Sequence, residues 1–496
     1  ELGNRAAEAT KFQWAAKVRE FCVNSDADEG KSRIFNAIRR AHAARLIALL
    51  SPEELIEGSE QEKSNGSDRE DVSNIEQLFQ RLNRQGTKLD GEELAYSMIK
   101  AYWPDLEHPI NEASKDRMPQ ARMVSLGVRA ALAGDAKHNL PGPPTVSALR
   151  VIARSEKDKK EIIQDFITQD LGNACELVGQ WLKYDAQTNP SGLLPVHITS
   201  IAMSSREVYL LLLHFAKRRL EGEAAPAGWA TAMQALATII HWFAPEKAKV
   251  ANRVYLRCRD GMDLDNIRTA LMEAHSAGEM HTIHAPEAVE AFVRLPEIGL
   301  KDWNWWQPIH GDGTVEGIQL RRGVWEGFLN FRNNRGLLLY AQRGFLAQRF
   351  RDYDPARKDL WEAHNRPWDF DHILASYYFY NRKDGSDFRG ICGQWGYTIG
   401  NLRAWPFEDN RSDQDETAAS KIQGNPARLE DSFLTADEER AFSGGNKVRG
   451  DEATARSFAS HCRDRLLRIY RAWYEAVGVA ELLTTVEATN AVTPEE

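Results

Sequence analysis

The apolar side chains from Thr145 to about residue 295 recur every three to four residues, which is the period of an α-helix. The pattern is interrupted at Asn189–Gly192 and at Glu221–Gly228, where proline, glycine and small polar residues favour turns. The segments Val208–Phe215 and 229–243 are dense enough in apolar residues for buried helices. This stretch therefore predicts an all-helical middle region in a mainly α protein.

The size and composition of the chain indicate a soluble protein of several domains. With 496 residues, 42% hydrophobic and 27% charged, it is too long for one ordinary core. The five cysteines form no CxxC pair, which argues against a disulfide framework and a four-cysteine zinc site. No apolar run approaches the roughly 18 residues of a membrane span. We expect a cytoplasmic protein without a membrane contact.

The charge distribution restricts any nucleic-acid surface to a part of the chain. The net charge is −9, so the protein as a whole is not basic. Between Gly317 and Arg366, however, ten Lys and Arg residues stand against five Asp and Glu residues. Arg335, Arg343 and Arg349 of this segment are candidate DNA contacts, because phosphate neutralisation supplies sequence-independent affinity. An ordinary solvated helix face is the alternative.

The C-terminal third contains a group of polar residues within and after two short β-prone segments. Two β-prone pieces, Trp368–Leu374 and Tyr397–Trp405, precede a helix-compatible stretch over 409–422. Their polar residues are Asp371, His372, Asn401, Asn410 and Lys421. Hydrolysis of a phosphodiester needs a base that titrates near neutral pH, such as histidine, and a hard divalent ion with oxygen ligands. This set could supply both.

The same residues resemble the ββα-metal HNH nuclease fold. The run IGNLRAWPFEDNRSDQDETAASK is similar to the C-terminal nuclease domain of GmrSD-type restriction proteins and of the phosphorothioation-sensing Ssp nucleases. The resemblance implies that His372 is the general base, that Asp371 and Asn410 hold Mg²⁺ (or Mn²⁺), and that Asn401 braces the loop or orients the histidine. It also places Lys421 near a phosphate.

A second resemblance lies upstream of the first. The segment Leu78–Leu89 is similar to the F-x-x-L-N-x-x-G-x-x-L segment of the ParB-like domain that precedes the nuclease domain in these proteins. That domain normally carries an Asp-Gly-Gln-Gln-Arg motif associated with nucleotide hydrolysis, and this sequence lacks it. Because the chain begins with Glu1, we expect that its N-terminal part is missing and assign no nucleotide-hydrolysing activity or cofactor-binding residues.

Several site residues keep a simpler interpretation. In a regular strand Asp371 and His372 point to opposite faces, and Asp369 shares the face of Asp371, so Asp369 is the rival metal ligand. Asn410 competes with Asp409, Asp413 and Asp415, or serves as a helix N-cap. Asn401 could satisfy backbone groups in a turn. Lys421 could be a solvated cation at a helix end.

Two predictions concern the chain after the polar set. The segment 424–450 is rich in Gly, Asn and Asp and predicts a loop. The last strong helix, Thr454–Ala476, carries its apolar residues on one face. For the arginines of this helix a solvated face and a DNA contact both stay open. The residues that share the apolar face are Phe458, Cys462, Leu466, Ile469 and Trp473.

The sequence thus predicts three regions and one main function. Residues 1–120 are the C-terminal part of a ParB-like domain, 121–300 the helical middle region, and 301–496 an α+β HNH domain embedded in helices. The function is cleavage or nicking of DNA, possibly modified, in bacterial anti-phage restriction, with a homo-oligomer or a partner restriction subunit as further partners. The alternatives are a DNA-sensing module that does not cut and a nucleotide-driven switch.

Overall fold

Most of the described backbone is helical, which confirms the mainly α prediction. The computed structural model describes residues 91–115, 117–134, 139–292, 323–324, 326–356, 366–379, 389–413 and 416–487. These residues belong to one compact unit, Leu89–Glu496. The ParB-like segment Leu78–Leu89 lies outside the described residues.

The regular elements of the described chain before residue 293 are all helices. The first are α1 (Gly91–Tyr102), α2 (Glu107–Ser114), α3 (Gln120–Leu132), α4 (Val146–Ser155), α5 (Lys157–Asp165) and α6 (Leu171–Leu182). A 3-10 turn, Pro104–Leu106, precedes α2, and a π-helical turn, Phe166–Asp170, joins α5 to α6. The next are α7 (Pro195–Ser204), α8 (Arg206–Leu220), α9 (Trp229–Phe243), α10 (Lys247–Arg257), α11 (Leu264–Ser276) and α12 (Pro286–Phe292).

The core of this helical region is built around α8 and α9. Both predicted interruptions are confirmed, because Asn189–Gly192 lies between α6 and α7 and Glu221–Gly228 lies between α8 and α9. Every side chain from Val208 to Ala216 is buried, since this part of α8 is apolar almost all round. α6 packs against both α8 and α9. The predicted buried helices are therefore confirmed.

The C-terminal part adds one two-stranded sheet to a set of mostly short helices. The elements before the second strand are α13 (Arg335–Ala341), α14 (Arg343–Arg349), β1 (Trp368–His372) and α15 (Arg389–Gly396), with 3-10 turns at Ser376–Tyr378 and Ile399–Asn401. The others are β2 (Leu402–Pro406), α16 (Phe407–Asp413), α17 (Ala418–Ile422), α18 (Pro426–Asp431), α19 (Ala436–Phe442), α20 (Lys447–Gly450), α21 (Glu452–Ala476) and α22 (Val479–Glu487). The strands are antiparallel, and Asp371 lies opposite Arg403.

The predicted loop over 424–450 is wrong, because α18, α19 and α20 occupy most of it. Two polar residues of this segment, Asn425 and Thr435, are helix caps. The Asn425 side chain accepts a hydrogen bond from the N–H of Ala427, and Thr435 forms a capping box with Glu438. Capping residues and loop residues have the same composition, so composition alone does not separate them.

The long helix α21 joins the C-terminal part to the helical middle region. Its predicted apolar face is confirmed, since all five residues named for it are buried. Trp473 donates a hydrogen bond from Nε1 to Oγ1 of Thr238 on α9 at 3.0 Å and stacks on Phe243. The hydroxyl of Tyr470 donates a hydrogen bond to the main-chain carbonyl of His284 at 2.7 Å. These contacts hold the sheet and its surrounding helices against the middle region.

The predicted region boundaries near residues 120 and 300 stay predictions. The helices on both sides of residue 120 are in direct contact, since α1 and α2 pack against α3, and α3 packs against α8. None of the helices in the described part of the chain is long and apolar enough to cross a membrane.

Two buried histidines, His197 and His214, and the half-buried His241 make the stability of the fold depend on pH. Burial lowers the pKa of His197 and of His214 from 6.5 to about 4, and that of His241 to about 3. His197 lies where α7 meets α13, and its Nε2–H donates to the carbonyl of Gly336 at 3.0 Å. Between pH 6.5 and 4 the unfolded chain therefore binds protons that the folded chain does not.

We predict that lowering the pH from 7 to 4 reduces the free energy of unfolding, and that His197→Gln reduces this dependence by the share of one histidine. The sign follows because stability rises with pH wherever the unfolded state binds more protons. Urea denaturation of parent and variant at several pH values measures it. An unchanged pH slope in the variant would show that His197 is not buried in its neutral form.

Candidate active site

The candidate site is built on the β1–β2 hairpin and the helix that follows it. β1 ends at His372, β2 runs antiparallel beside it, and α16 begins at Phe407, directly after β2. In antiparallel pairs the residues opposite each other share a face, so Asp369 and Asp371 lie on one face with Arg403 and Trp405. His372 lies on the opposite face. The sheet therefore separates the two adjacent residues Asp371 and His372.

The Asp371 carboxylate is buried between two cations. Its Oδ2 accepts a hydrogen bond from Nε of Arg403 at 2.8 Å, and its Oδ1 accepts one from Nζ of Lys421 at 2.7 Å. The exposed fractions are 5% for Asp371, 1% for Arg403 and 2% for Lys421. Arg403 also donates to the hydroxyl of Ser432 and lies over the ring of Trp405. Both oxygens of Asp371, the predicted metal ligand, are thus occupied by protein cations.

Lys421 points into the protein and ties α17 to the end of β1. In addition to Asp371, its ammonium donates to the main-chain carbonyl of His372 at 2.9 Å. The alternative of a solvated cation is therefore not what the structure shows. The predicted contact of Lys421 with a DNA phosphate would require this buried ion pair to open.

His372 lies at the end of β1, in contact with two aromatic side chains. Its ring makes edge contacts with the rings of Phe379 and Tyr397. Burial lowers the pKa of His372, Asp371 opposes that shift, and Lys421 and Arg335 add to it. Because the pKa lies below its ordinary value of 6.5, the imidazole is neutral at pH 7 and able to accept a proton.

Two guanidinium groups flank Phe370, which lies on the same strand face as His372. The Arg335 and Arg366 guanidinium carbons lie 4.7 and 4.8 Å from the centre of the Phe370 ring. Burial lowers the pKa of Arg366, and its Nε has no hydrogen-bond partner among the described residues. Arg335 is exposed at the start of α13. This face of the hairpin therefore combines a neutral histidine with two cations.

Asn401 is a brace for the loop after β1. It is fully buried, and its side-chain oxygen accepts the N–H of Leu374 at 2.8 Å. Its amide nitrogen donates to the carbonyls of Leu374 and Gly396. The sequence allowed more than one role for Asn401, and these contacts are those of a residue that braces the loop. A direct catalytic role would require Asn401 to give up these backbone contacts.

Asn410 pairs with Asp369 and not with Asp371. The amide nitrogen of Asn410, on α16, donates to Oδ2 of Asp369 at 3.3 Å. Both side chains are partly exposed. The structure thus brings Asn410 to the carboxylate that the sequence named as the rival ligand. Asn410 lies in the middle of α16, so it is not the N-cap of that helix.

The other predicted DNA contacts lie away from His372 or point to protein groups. Arg343 donates to the carbonyls of Pro190 and Tyr340 and lies over the Tyr340 ring, so it ties α14 to the middle region. Arg349 is exposed at the end of α14. Of the three arginines, Arg335 is the one that the structure places beside the histidine.

Comparisons with protein-family models, with curated proteins and with solved structures found no match to this chain. The likeness to the GmrSD-type and Ssp-type nucleases therefore stays a prediction from the motifs.

Sequence reasoning missed two arginines that shape the site. Arg403 is the cross-strand partner of Asp371, which only the register of the hairpin reveals. Arg465 of α21 is fully buried and donates to the carbonyls of Ile399, Gly400, Ser432 and Phe433. Burial lowers its pKa to about 9. A signal existed, because Arg465 stands three residues after Cys462, within the apolar face of the helix.

We predict that Asp371→Asn lowers the free energy of unfolding by about 3 kcal/mol or more, because it leaves two buried cations without their counter-ion. Asp437→Asn is the matched control, since Asp437 pairs with Arg440 at the surface, where an ion pair contributes about 1 kcal/mol or less. Chemical denaturation of the three proteins measures both values. Equal, small losses would show that the Asp371 cluster is not buried.

Proposed function

We propose that this protein is a Mg²⁺- or Mn²⁺-dependent DNA endonuclease with His372 as its general base. The observation that carries the proposal is one face of β1 on which His372 lies beside Phe370, with the Arg335 and Arg366 guanidinium groups over the Phe370 ring. The hairpin continues into the helix that bears Asn410. The strand, loop, strand and helix follow each other in the order of the nuclease fold that the motifs resemble. The same resemblance assigns the protein to restriction of foreign DNA.

The chemistry of His372 supports a hydrolytic step. A neutral imidazole takes a proton from water as the water oxygen attacks phosphorus and the bond from phosphorus to the 3′ oxygen breaks. The departing 3′ oxygen takes a proton from solvent. The His372 side chain is half-buried, so part of the imidazole is reached by solvent.

The two arginines support a phosphate as the group that is attacked. Guanidinium groups bind phosphate oxygens through paired N–H donors and neutralise charge that builds up during the reaction. Arg335 is exposed at the start of α13, so its guanidinium is open to a phosphate that approaches from solvent. Because these contacts recognise the backbone and not the bases, they carry no sequence preference.

The predicted metal ligands do not fit a cation in this arrangement. A divalent ion such as Mg²⁺ needs oxygen donors that are free to bind it. Both oxygens of Asp371 accept hydrogen bonds from Lys421 and Arg403, and Asn410 contacts Asp369 instead. The proton transfer to His372 and the phosphate contacts of the arginines therefore involve side chains of the protein alone.

The ion pairs of Asp371 with Arg403 and Lys421 favour one alternative function, that of a DNA-binding module that does not cut. A carboxylate that is saturated by protein cations is what a nuclease-like fold without a metal would have. Supercoiled plasmid separates the two functions, because a module that only binds would shift the mobility of the plasmid and leave it intact.

We predict that His372→Ala abolishes nicking of supercoiled plasmid in Mg²⁺ or Mn²⁺ while the fold is retained. The expected loss is about a hundredfold or more, since a general base contributes 10²–10⁴-fold. The midpoint of the acid fall in the parent's nicking rate should lie below pH 6.5, because burial lowers the pKa of His372 from its ordinary value.

The matched control is His281→Ala, which removes an exposed histidine from the loop after α11. It should nick like the parent. A His372→Ala protein that cuts plasmid as fast as the parent would rule out the proposed base.

We also predict that Arg335→Gln weakens DNA binding for all sequences alike and reduces by about one the slope of log affinity against log salt concentration. Arg456→Gln is the control, because Arg456 is an exposed arginine of α21 that pairs with Glu452 one turn away. Fluorescence anisotropy with a short duplex at several salt concentrations measures the slope. A change of equal size in both variants would show that Arg335 contributes no more to DNA binding than an ordinary surface arginine.

A further inference from the structure

Two tyrosine rings lie exposed in the surroundings of the candidate base. Among the large apolar side chains that are exposed in the described part of the chain, the aromatic ones are Tyr377 and Tyr397, with exposed fractions of 57% and 47%. Apolar side chains that are exposed singly are ordinary on a protein surface. These two instead accompany one residue: the Tyr397 ring contacts the His372 ring, and Tyr377 lies in the 3-10 turn that follows the end of β1.

The Tyr397 ring is held in place by two other rings. It meets Phe379 at 5.1 Å between ring centres with the planes 82° apart, and it meets His372 at 6.2 Å and 86°. Phe379 is buried, so this contact anchors Tyr397 to the core. Because edge contacts of this kind do not cover both faces of a ring, Tyr397 keeps apolar ring surface available to a planar group.

Tyr377 is fixed by a cation. The Arg449 guanidinium carbon lies 4.9 Å from the centre of the Tyr377 ring. The same guanidinium donates hydrogen bonds to the main-chain carbonyls of Tyr377 and Tyr378. The turn that carries Tyr377 is therefore tied to α20, and a positive charge lies against a second exposed ring.

Exposed rings and guanidinium groups together fit single-stranded nucleic acid. Arg335 and Arg366 on the His372 face, and Arg449 at Tyr377, supply cations for phosphates. Aromatic rings beside such cations stack on bases of any identity. In a closed duplex the faces of a base are covered by the neighbouring base pairs, so a tyrosine ring cannot stack on it. A ligand that uses both features must therefore present an open base next to a phosphate.

We infer that Tyr397 stacks on a nucleotide base of the strand whose phosphate lies at His372, and that Tyr377 provides a second stacking surface. The substrate is then single-stranded DNA, or duplex DNA with a locally opened strand, which negative supercoiling favours. The inference rests on the proposed nuclease function, since it names the substrate class of the same site.

The test compares the binding of two single-stranded DNA oligonucleotides by fluorescence anisotropy, with the full chain in EDTA so that neither strand is cut. One oligonucleotide carries all its bases, and the other has the same number of phosphates but is abasic in its central part. We expect the parent to bind the first more tightly. Tyr397→Ala should weaken that binding about fivefold or more and leave the binding of the abasic strand unchanged. Tyr397→Trp keeps a flat ring and should retain the preference of the parent.

The matched control is Tyr102→Ala, because Tyr102 is a half-buried tyrosine at the end of α1, in the helical region before residue 293. It should bind both strands like the parent. A parent that binds neither strand, or both equally, overturns the inference without any variant. A folded Tyr397→Ala protein that keeps the preference of the parent, or that loses affinity equally for the two strands, also overturns it.

Two further results separate the parts of the inference. Tyr377→Ala with the affinity of the parent overturns the second stacking surface. A preference for the strand with bases, in a parent that leaves supercoiled plasmid intact in Mg²⁺ or Mn²⁺, would keep the stacking site and remove the proposed nuclease function.

Discussion

The buried ion cluster of Asp371, Arg403 and Lys421 is the interaction on which the C-terminal part depends. Its three charges come from β1, β2 and α17, and each is almost completely removed from water. A buried charge without a partner costs much free energy. β1, β2 and α17 must therefore assemble together. Because Lys421 also binds the carbonyl of His372, the cluster fixes the backbone that carries the candidate base.

A second buried cation extends this constraint to the long C-terminal helix. Arg465 makes its hydrogen bonds to main-chain carbonyls of the turn before β2 and of the segment after α18. The turn contains Asn401, which in turn holds the loop after β1. The position of His372 thus follows from a chain of polar contacts whose members are spread over about a hundred residues of sequence, from 371 to 465. Apolar packing alone would not specify the loop geometry so closely.

The sequence predicted the elements of this fold better than their contacts. Helical periodicity identified α8, α9 and α21, because a buried face must repeat with the pitch of the helix. The two β-prone pieces correspond to β1 and β2, although β2 begins five residues later than the piece predicted for it. The helix-compatible stretch over 409–422 is divided between α16 and α17. Side-chain partners were beyond reach, because the register that sets Asp371 opposite Arg403 and the fold that brings Lys421 to both depend on residues far apart. Helix caps such as Thr435 resembled loop residues for the same reason: their role depends on the backbone that they join.

The side chain of Gln342 has a consequence for the behaviour of the protein in solution. It accepts the N–H of Ala404 and donates to the carbonyl of the same residue, on the side of β2 turned away from β1. A single glutamine thereby takes the hydrogen-bonding positions that another extended chain would use. Unpaired edges of this kind are templates for self-association and fibril growth, so Gln342 protects a small hairpin that could otherwise recruit copies of itself.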